Sequence, residues 1–191
     1  MENIVEKANR IAEECHYDQI YKSTGGAFYE SHLVPVWDLL KEVGFPEKTQ
    51  AVGLLHDILE DTELALGELR ELFGDEIAYA VHNLSEDKKL ERKERVEEYL
   101  ENVVKSYHSI SVCLADQIHN SGGILNNPPV MEKISDDVTG AVDDTKEWIT
   151  AQINKYGLIL FTLGNINLDD KQKKLYDKLY ENFTELDKKY K

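Results

Sequence analysis

The run AVGLLHDILEDT, residues 51–62, decides how this chain is read. Ala51, Val52, Leu54, Leu55, Ile58 and Leu59 are too densely apolar for a helix with one wet face, so the pattern predicts a central, buried helix. Inside that stretch stand His56 and Asp57, and a charge in an apolar interior is costly unless it is paired or bound to metal. The same interruption recurs in SVCLADQIHN, residues 111–120, where Asp116 breaks a second apolar helix. His32 opens the helix expected after the turn-rich YKSTGG, residues 21–26. One buried His is ordinarily a hydrogen-bonded core residue. Four such residues on three predicted core helices point to a shared site.

Working outward, the helical period continues almost everywhere and no alternating strand is evident, so the expected fold class is all-α. Ile4, Val5, Ala8, Ile11, Ala12 and Cys15 form one stripe, and Leu33, Val36, Trp37, Leu40 and Val43 another, closed by Gly44 and Pro46. Gly74 ends a short helix and Asp75 is expected to cap the next. The charged segment 86–105 keeps Val96, Tyr99, Leu100, Val103 and Val104 on one face. SGGILNNPP, residues 121–129, reads as a second loop on its turn chemistry. Residues 1–164 are expected to form one domain. Residues 165–191 form a C-terminal helix that packs on it or serves a homodimer.

The 191 residues suit a single domain with a proper core. Against 22 Lys and Arg stand 37 Asp and Glu, a net charge of -15, which argues against nucleic acid and anionic lipid as partners. No apolar stretch approaches a membrane span, the start MENIVEKANRIAEE lacks a signal-peptide centre, and two cysteines suit a reducing cytoplasm. A small anionic substrate is compatible with this surface only where a metal ion or a local basic patch reverses the sign.

Two imidazoles and two carboxylates make a donor set suited to Mn²⁺, Fe²⁺, Co²⁺ or Zn²⁺. Such an ion lowers the pKa of bound water and polarises a phosphoryl oxygen. Glu60 and Asp61 follow His56 and Asp57 by four residues, one helical turn on. There they are placed to handle protons, or simply to close the helix.

In this order, His32, His56-Asp57 and Asp116 resemble the HD superfamily of metal-dependent phosphohydrolases. LLHDILEDT, residues 54–62, is similar to the HDxxEDT signature of RelA/SpoT-type alarmone hydrolases, and CLADQIHN, residues 113–120, to KLADRLHN. Ala8, Ala12, His16, Gln19, Lys22, Tyr29, Phe73-Gly74, LSEDK (84–88) and DTKEWITAQINKYG (144–157) extend the likeness over roughly residues 4–157. The resemblance implies an HD-domain helical bundle and Mn²⁺ held by His32, His56, Asp57 and Asp116. It implies Glu60 and Asp61 as the catalytic acidic pair, with Lys22, Asn120 and the position of Tyr21 meeting the nucleotide. The implied reaction removes the 3′-pyrophosphate from guanosine tetra- or pentaphosphate, in a stand-alone domain without a following synthetase. The substrate side departs from the family: Tyr21 replaces an Arg, Cys113 a Lys and Gln117 an Arg. No aromatic contact is evident near Thr145 or Ile149. Two alternatives therefore stand beside the alarmone: another nucleotide or NADPH as substrate, and a non-catalytic sensor of a phosphorylated metabolite.

Overall fold

The computed structural model describes residues 2–128 and 145–190. Among them every regular element is helical, apart from one isolated antiparallel bridge between Ile20 and Ala27. Helix α1 (Ile4–Cys15) starts at a capping box, in which the Asn3 side chain accepts from the Glu6 amide at 2.8 Å and Glu6 reaches back to the Asn3 amide. The Ile20–Ala27 bridge closes the Tyr21–Gly26 turn, with Gly25 at φ 74. A π-helical turn, Tyr29–Leu33, then feeds α2 (Val34–Val43). Its wider spacing turns two consecutive residues, His32 and Leu33, into the interior.

There follow α3 (Glu47–Leu55), α4 (Ile58–Asp61), α5 (Leu66–Phe73), α6 (Asp75–His82), α7 (Arg92–Val103), α8 (Tyr107–Asn126), α9 (Thr145–Gly164) and α10 (Asp170–Tyr190). Helix α3 packs against α1, α2, α6 and α8 at the centre. Leu54, Leu55, Val112, Leu114 and Ala115 are fully buried there. Each buried Leu or Ile contributes roughly 1.5–3 kcal/mol, so the polar residues among them sit in a stiff apolar wall. Helix α10 lies along α8 and α9, burying Leu175, Leu179 and Leu186. No helix among the described residues is long and apolar enough to cross a membrane.

Three expectations are corrected. The helix over residues 51–61 is not continuous: it breaks at His56 and Asp57 into α3 and α4, with Asp57 in a turn conformation at φ -96, ψ -1. The stretch from Ser121 to Asn126 is not a loop but the last turns of α8. There the Ser121 hydroxyl and the Ile118 carbonyl accept from Asn182 of α10, and this tertiary docking outweighs the weak helix propensity of Gly122 and Gly123. Pro129, the end of that predicted loop, lies outside the described residues, as does Asp144 of the stretch likened to the following helix. Asp75 does not cap α6. Gly74 occupies the cap position at φ 80, and Asp75 instead receives a hydrogen bond from Arg70 at 2.7 Å. In the charged segment, the helix is confined to Arg92–Val103.

Candidate metal centre

His32 comes from the π-helical turn, His56 and Asp57 from the break between α3 and α4, and Asp116 from the middle of α8. The fold brings all four together. His32 Nε2 lies 3.1 Å from His56 Nε2 and 3.1 Å from Asp57 Oδ2, which is 3.3 Å from His56 Nε2. Asp116 Oδ1 stands 3.4 Å from His32 Nε2 and 3.8 Å from His56 Nε2, slightly off the tighter trio, whose donor atoms all lie within 4.8 Å of one another. Donors about 2.1 Å from an ion sit about 3.0 Å apart on an octahedral edge and about 3.4 Å apart on a tetrahedral one. Separations within the His32, His56 and Asp57 trio match, while Asp116, 3.8 Å from His56 Nε2, stands just outside it.

The hydrogen bonds behind the ligands decide where the imidazole protons are. His56 Nδ1 is 2.8 Å from the Gly53 carbonyl, which can only accept, so Nδ1 carries the proton and Nε2 presents a lone pair. His32 Nδ1 meets His119 Nδ1 at 3.1 Å. Burial, and then His32, lowers the His119 pKa and keeps that ring neutral; with its Nδ1 as the acceptor of this bond, His32 Nε2 is bare as well. Two bare imidazole nitrogens and two carboxylates facing one point call for a cation. Burial opposes charge on His56, yet Asp57 and then Asp116 override it and push its pKa up to about 10 when a proton is the only cation available. Asp57 and Asp116 are held below the usual carboxylate range, against their burial, chiefly by His56.

His119 was not singled out in the sequence, where it is one polar residue of a helix. Replacing it by Leu strands the His32 Nδ1–H, and metal affinity is expected to fall about 10- to 100-fold with the helical circular-dichroism signal retained. A metal titration by calorimetry reads the change directly. Unchanged affinity would reduce His119 to a packing residue.

His56, Asp57 and Asp116 open onto a cavity of about 400 Å³, within the range of small-molecule sites. Glu60 lines it too. Its Oε1 accepts from the Glu86 amide at 2.8 Å and its Oε2 is 3.4 Å from Lys88. Burial pushes Glu60 up to about 7, with Asp57 adding to the effect and the Glu86 amide and Lys88 opposing it. Asp61, at the end of α4, is not part of the cavity lining and pairs with Lys88 at 3.0 Å. Its carbonyl accepts from Gln19, whose own oxygen takes the His16 Nδ1–H, so α1 is tied to the end of α4.

The nucleotide-side residues are arranged around Asp116. Asn120 donates to Asp116 Oδ1 at 2.7 Å and accepts from the Tyr21 hydroxyl at 3.1 Å. The Tyr21 ring stacks on His32 at 5.1 Å between centroids. Gln117, where the family pattern has Arg, is buried and donates to the other oxygen of Asp116. Cys113 is fully buried. Lys22 is exposed and lines the cavity. The expected absence of an aromatic group on the later helix is corrected: α9 brings Trp148 and Tyr156 to the cavity, together with Gln152 and Lys155. Their spacing in sequence resembled ordinary helix packing, and nothing local distinguished them.

The sequence profile of the family described as HD domain matches residues 8–121, more than half of the chain. Among relatives, a guanosine-3′,5′-bis(diphosphate) 3′-pyrophosphohydrolase of Spiroplasma citri is 38% identical over 125 residues, 61% of this chain and 16% of that protein. A GTP pyrophosphokinase of Streptomyces antibioticus is 35% identical over 121 residues, 61% of this chain and 14% of that protein. The chain thus spans about a sixth of these relatives' length. Two examples stand among the solved structures that share its fold. One is of a metazoan ortholog of SpoT that hydrolyzes ppGpp (TM-score 0.73, 22% identity, 97% of this chain and 96% of that one). The other is lmo0812 from Listeria monocytogenes (TM-score 0.63, 25% identity, 83% and 98%).

Proposed function

This chain belongs to the HD domain family, and from that premise we propose that it is a metal-dependent phosphohydrolase that removes pyrophosphate from the 3′ position of guanosine 3′,5′-bis(diphosphate). The observation that carries the reading is the convergence of two bare imidazole nitrogens and two carboxylates on one wall of a cavity that Glu60 shares. The names of the relatives support the choice of substrate.

His32, His56, Asp57 and Asp116 would hold a first-row divalent ion, which we take to be Mn²⁺. When bound, it supplies positive charge for the phosphoryl oxygens and lowers the pKa of a coordinated water. Glu60, poised near neutrality, accepts a proton from the attacking water or returns one to the leaving oxygen. Asp61 shares Lys88 with Glu60 and so sets the charge beside it. Asn120 and the Tyr21 hydroxyl hold Asp116 in place. Lys22 contributes charge at the cavity mouth, and Trp148 offers a ring face to a base. The cytoplasm is the proposed location.

A second reading, hydrolysis of another nucleotide or of NADPH, is favoured by Gln117 and Tyr21. Both are engaged with metal-site residues, and neither offers a guanidinium to a guanine. The deciding measurement is kcat/KM with Mn²⁺ over guanosine and adenosine 3′- and 5′-phosphates, cyclic nucleotides and NADPH. The expected result is preference for the 3′-diphosphate with release of pyrophosphate, abolished by EDTA. Preference for a 5′-monophosphate or NADPH would overturn the substrate and keep the class. No turnover by metal-loaded protein would favour the sensor.

A further inference from the structure

Glu60 sits on α4, a single four-residue turn, and both of its carboxylate oxygens are held from one irregular segment, residues 83–91, which joins α6 to α7. The Glu86 amide donates to Oε1 at 2.8 Å, and Lys88 Nζ lies 3.4 Å from Oε2. The backbone of this segment does little to fix its own shape. Leu84, Ser85 and Leu90 bond to carbonyls three residues back, and the Glu86 amide is turned to Glu60.

The anchor is the side chain of Glu86. Arg95 Nε of α7 lies 3.1 Å from its Oε2, and Lys155 Nζ of α9 donates to its Oε1 at 2.7 Å, so each oxygen has its own cation. Arg95 is 15% exposed, Glu86 18% and Lys155 22%. At that depth the pairs are weakly screened, and removing one partner leaves a charge unmatched. Lys155 is held in turn over the Tyr99 ring of α7, 5.1 Å from its centroid. Glu86 therefore grips two helices with its side chain and Glu60 with its backbone. Glu86 and Glu60 both line the cavity, whereas Arg95 does not and reaches it through Glu86.

We propose that Glu86 is a positioning residue: clamped by Arg95 and Lys155, it fixes the amide that aims the Glu60 carboxylate into the cavity beside the His/Asp cluster. A group that exchanges protons with a reacting oxygen must stay within hydrogen-bond reach of it, and small misplacements cost rate. This rests on the phosphohydrolase reading and deepens it, by extending the acid–base machinery to α7 and α9.

The test measures Arg95→Met, Arg95→Lys and Glu86→Gln in the wild-type and Glu60→Gln backgrounds, with Mn²⁺ and the preferred nucleotide of the substrate panel. The readouts are kcat, KM and metal content. Arg95→Met is expected to lower kcat about tenfold, the scale of a hydrogen bond to a charged group, with KM changed less than about twofold and the ion retained. Arg95→Lys should recover most of the loss. Glu86→Gln, which keeps the shape and the amide but not the charge, should reproduce it. Because these changes act through Glu60, none should lower the residual kcat of Glu60→Gln further, whereas independent effects would multiply. Equal losses in both backgrounds, a rise in KM at constant kcat, or no change overturns the assignment, and wild-type turnover then leaves the phosphohydrolase reading standing. Wild-type turnover by Glu60→Gln also overturns it, since the amide would have nothing to aim. Metal-loaded wild type that turns over no nucleotide of the panel overturns both.

Discussion

Asp116→Asn and His56→Ala proteins are expected to lose the divalent ion and at least about 10³-fold in kcat/KM. An ion in this position contributes several kcal/mol to the charged transition state, and each 1.36 kcal/mol is tenfold in rate. The two substitutions act differently on the donor set. Removing His56 takes away a nitrogen whose lone pair is aimed by the Gly53 carbonyl. Asparagine at 116 keeps the shape but gives up the charge and one of the two acceptor oxygens that Asn120 and Gln117 use. Elemental analysis of Mn²⁺-soaked, desalted protein checks the metal, and the substrate panel checks the rate. Full metal content in both variants would mean that these residues pack the core and bind nothing.

Glu60→Gln separates acid–base work from metal binding. The ion should stay, because Glu60 is not among the converging donors, while kcat is expected to fall by roughly 10²-fold or more. With its pKa pushed to about 7 by burial, Glu60 should give the wild-type pH–rate profile a limb near neutrality, and that limb should vanish in the variant. The sign of the stability effect follows from the same shift. A carboxyl whose folded pKa lies above its unfolded one favours folding while protonated. In metal-depleted protein its contribution is present below the unfolded pKa and lost as pH rises through about 7. Glu60→Gln should therefore raise Tm relative to wild type more at pH 8 than at pH 5. An unaltered pH–rate profile would remove Glu60 from the chemistry.

Much of the site was legible because rule-breaking residues advertise themselves. His56, Asp57 and Asp116 stand out as polar groups in apolar helices, and the fold places them within ligand distance of His32. The offset of Glu60 and Asp61 was less well read. An unbroken helix puts Glu60 on the face of His56 and Asp61 on that of Asp57, whereas with the turn at Asp57 only Glu60 lines the cavity, and both pair with Lys88. The glycine pair 122–123 misled for the opposite reason: turn chemistry is a local preference, and docking of Asn182 overrode it.

From its sequence alone this chain reads as an all-α protein with a candidate His/Asp metal centre, because helical period and the cost of buried charge are written in neighbouring residues. The His56 ring is oriented locally, by the Gly53 carbonyl three residues back, whereas only the tertiary structure decided the His32 side, where Nδ1 meets His119 of α8. It also decided the substrate wall. Trp148, Tyr156 and Lys155 carry no local mark, and they become functional candidates only when α9 is laid across α8 and the Glu86 segment. Charge and shape complementarity between distant segments is a property of their packing, not of their spacing.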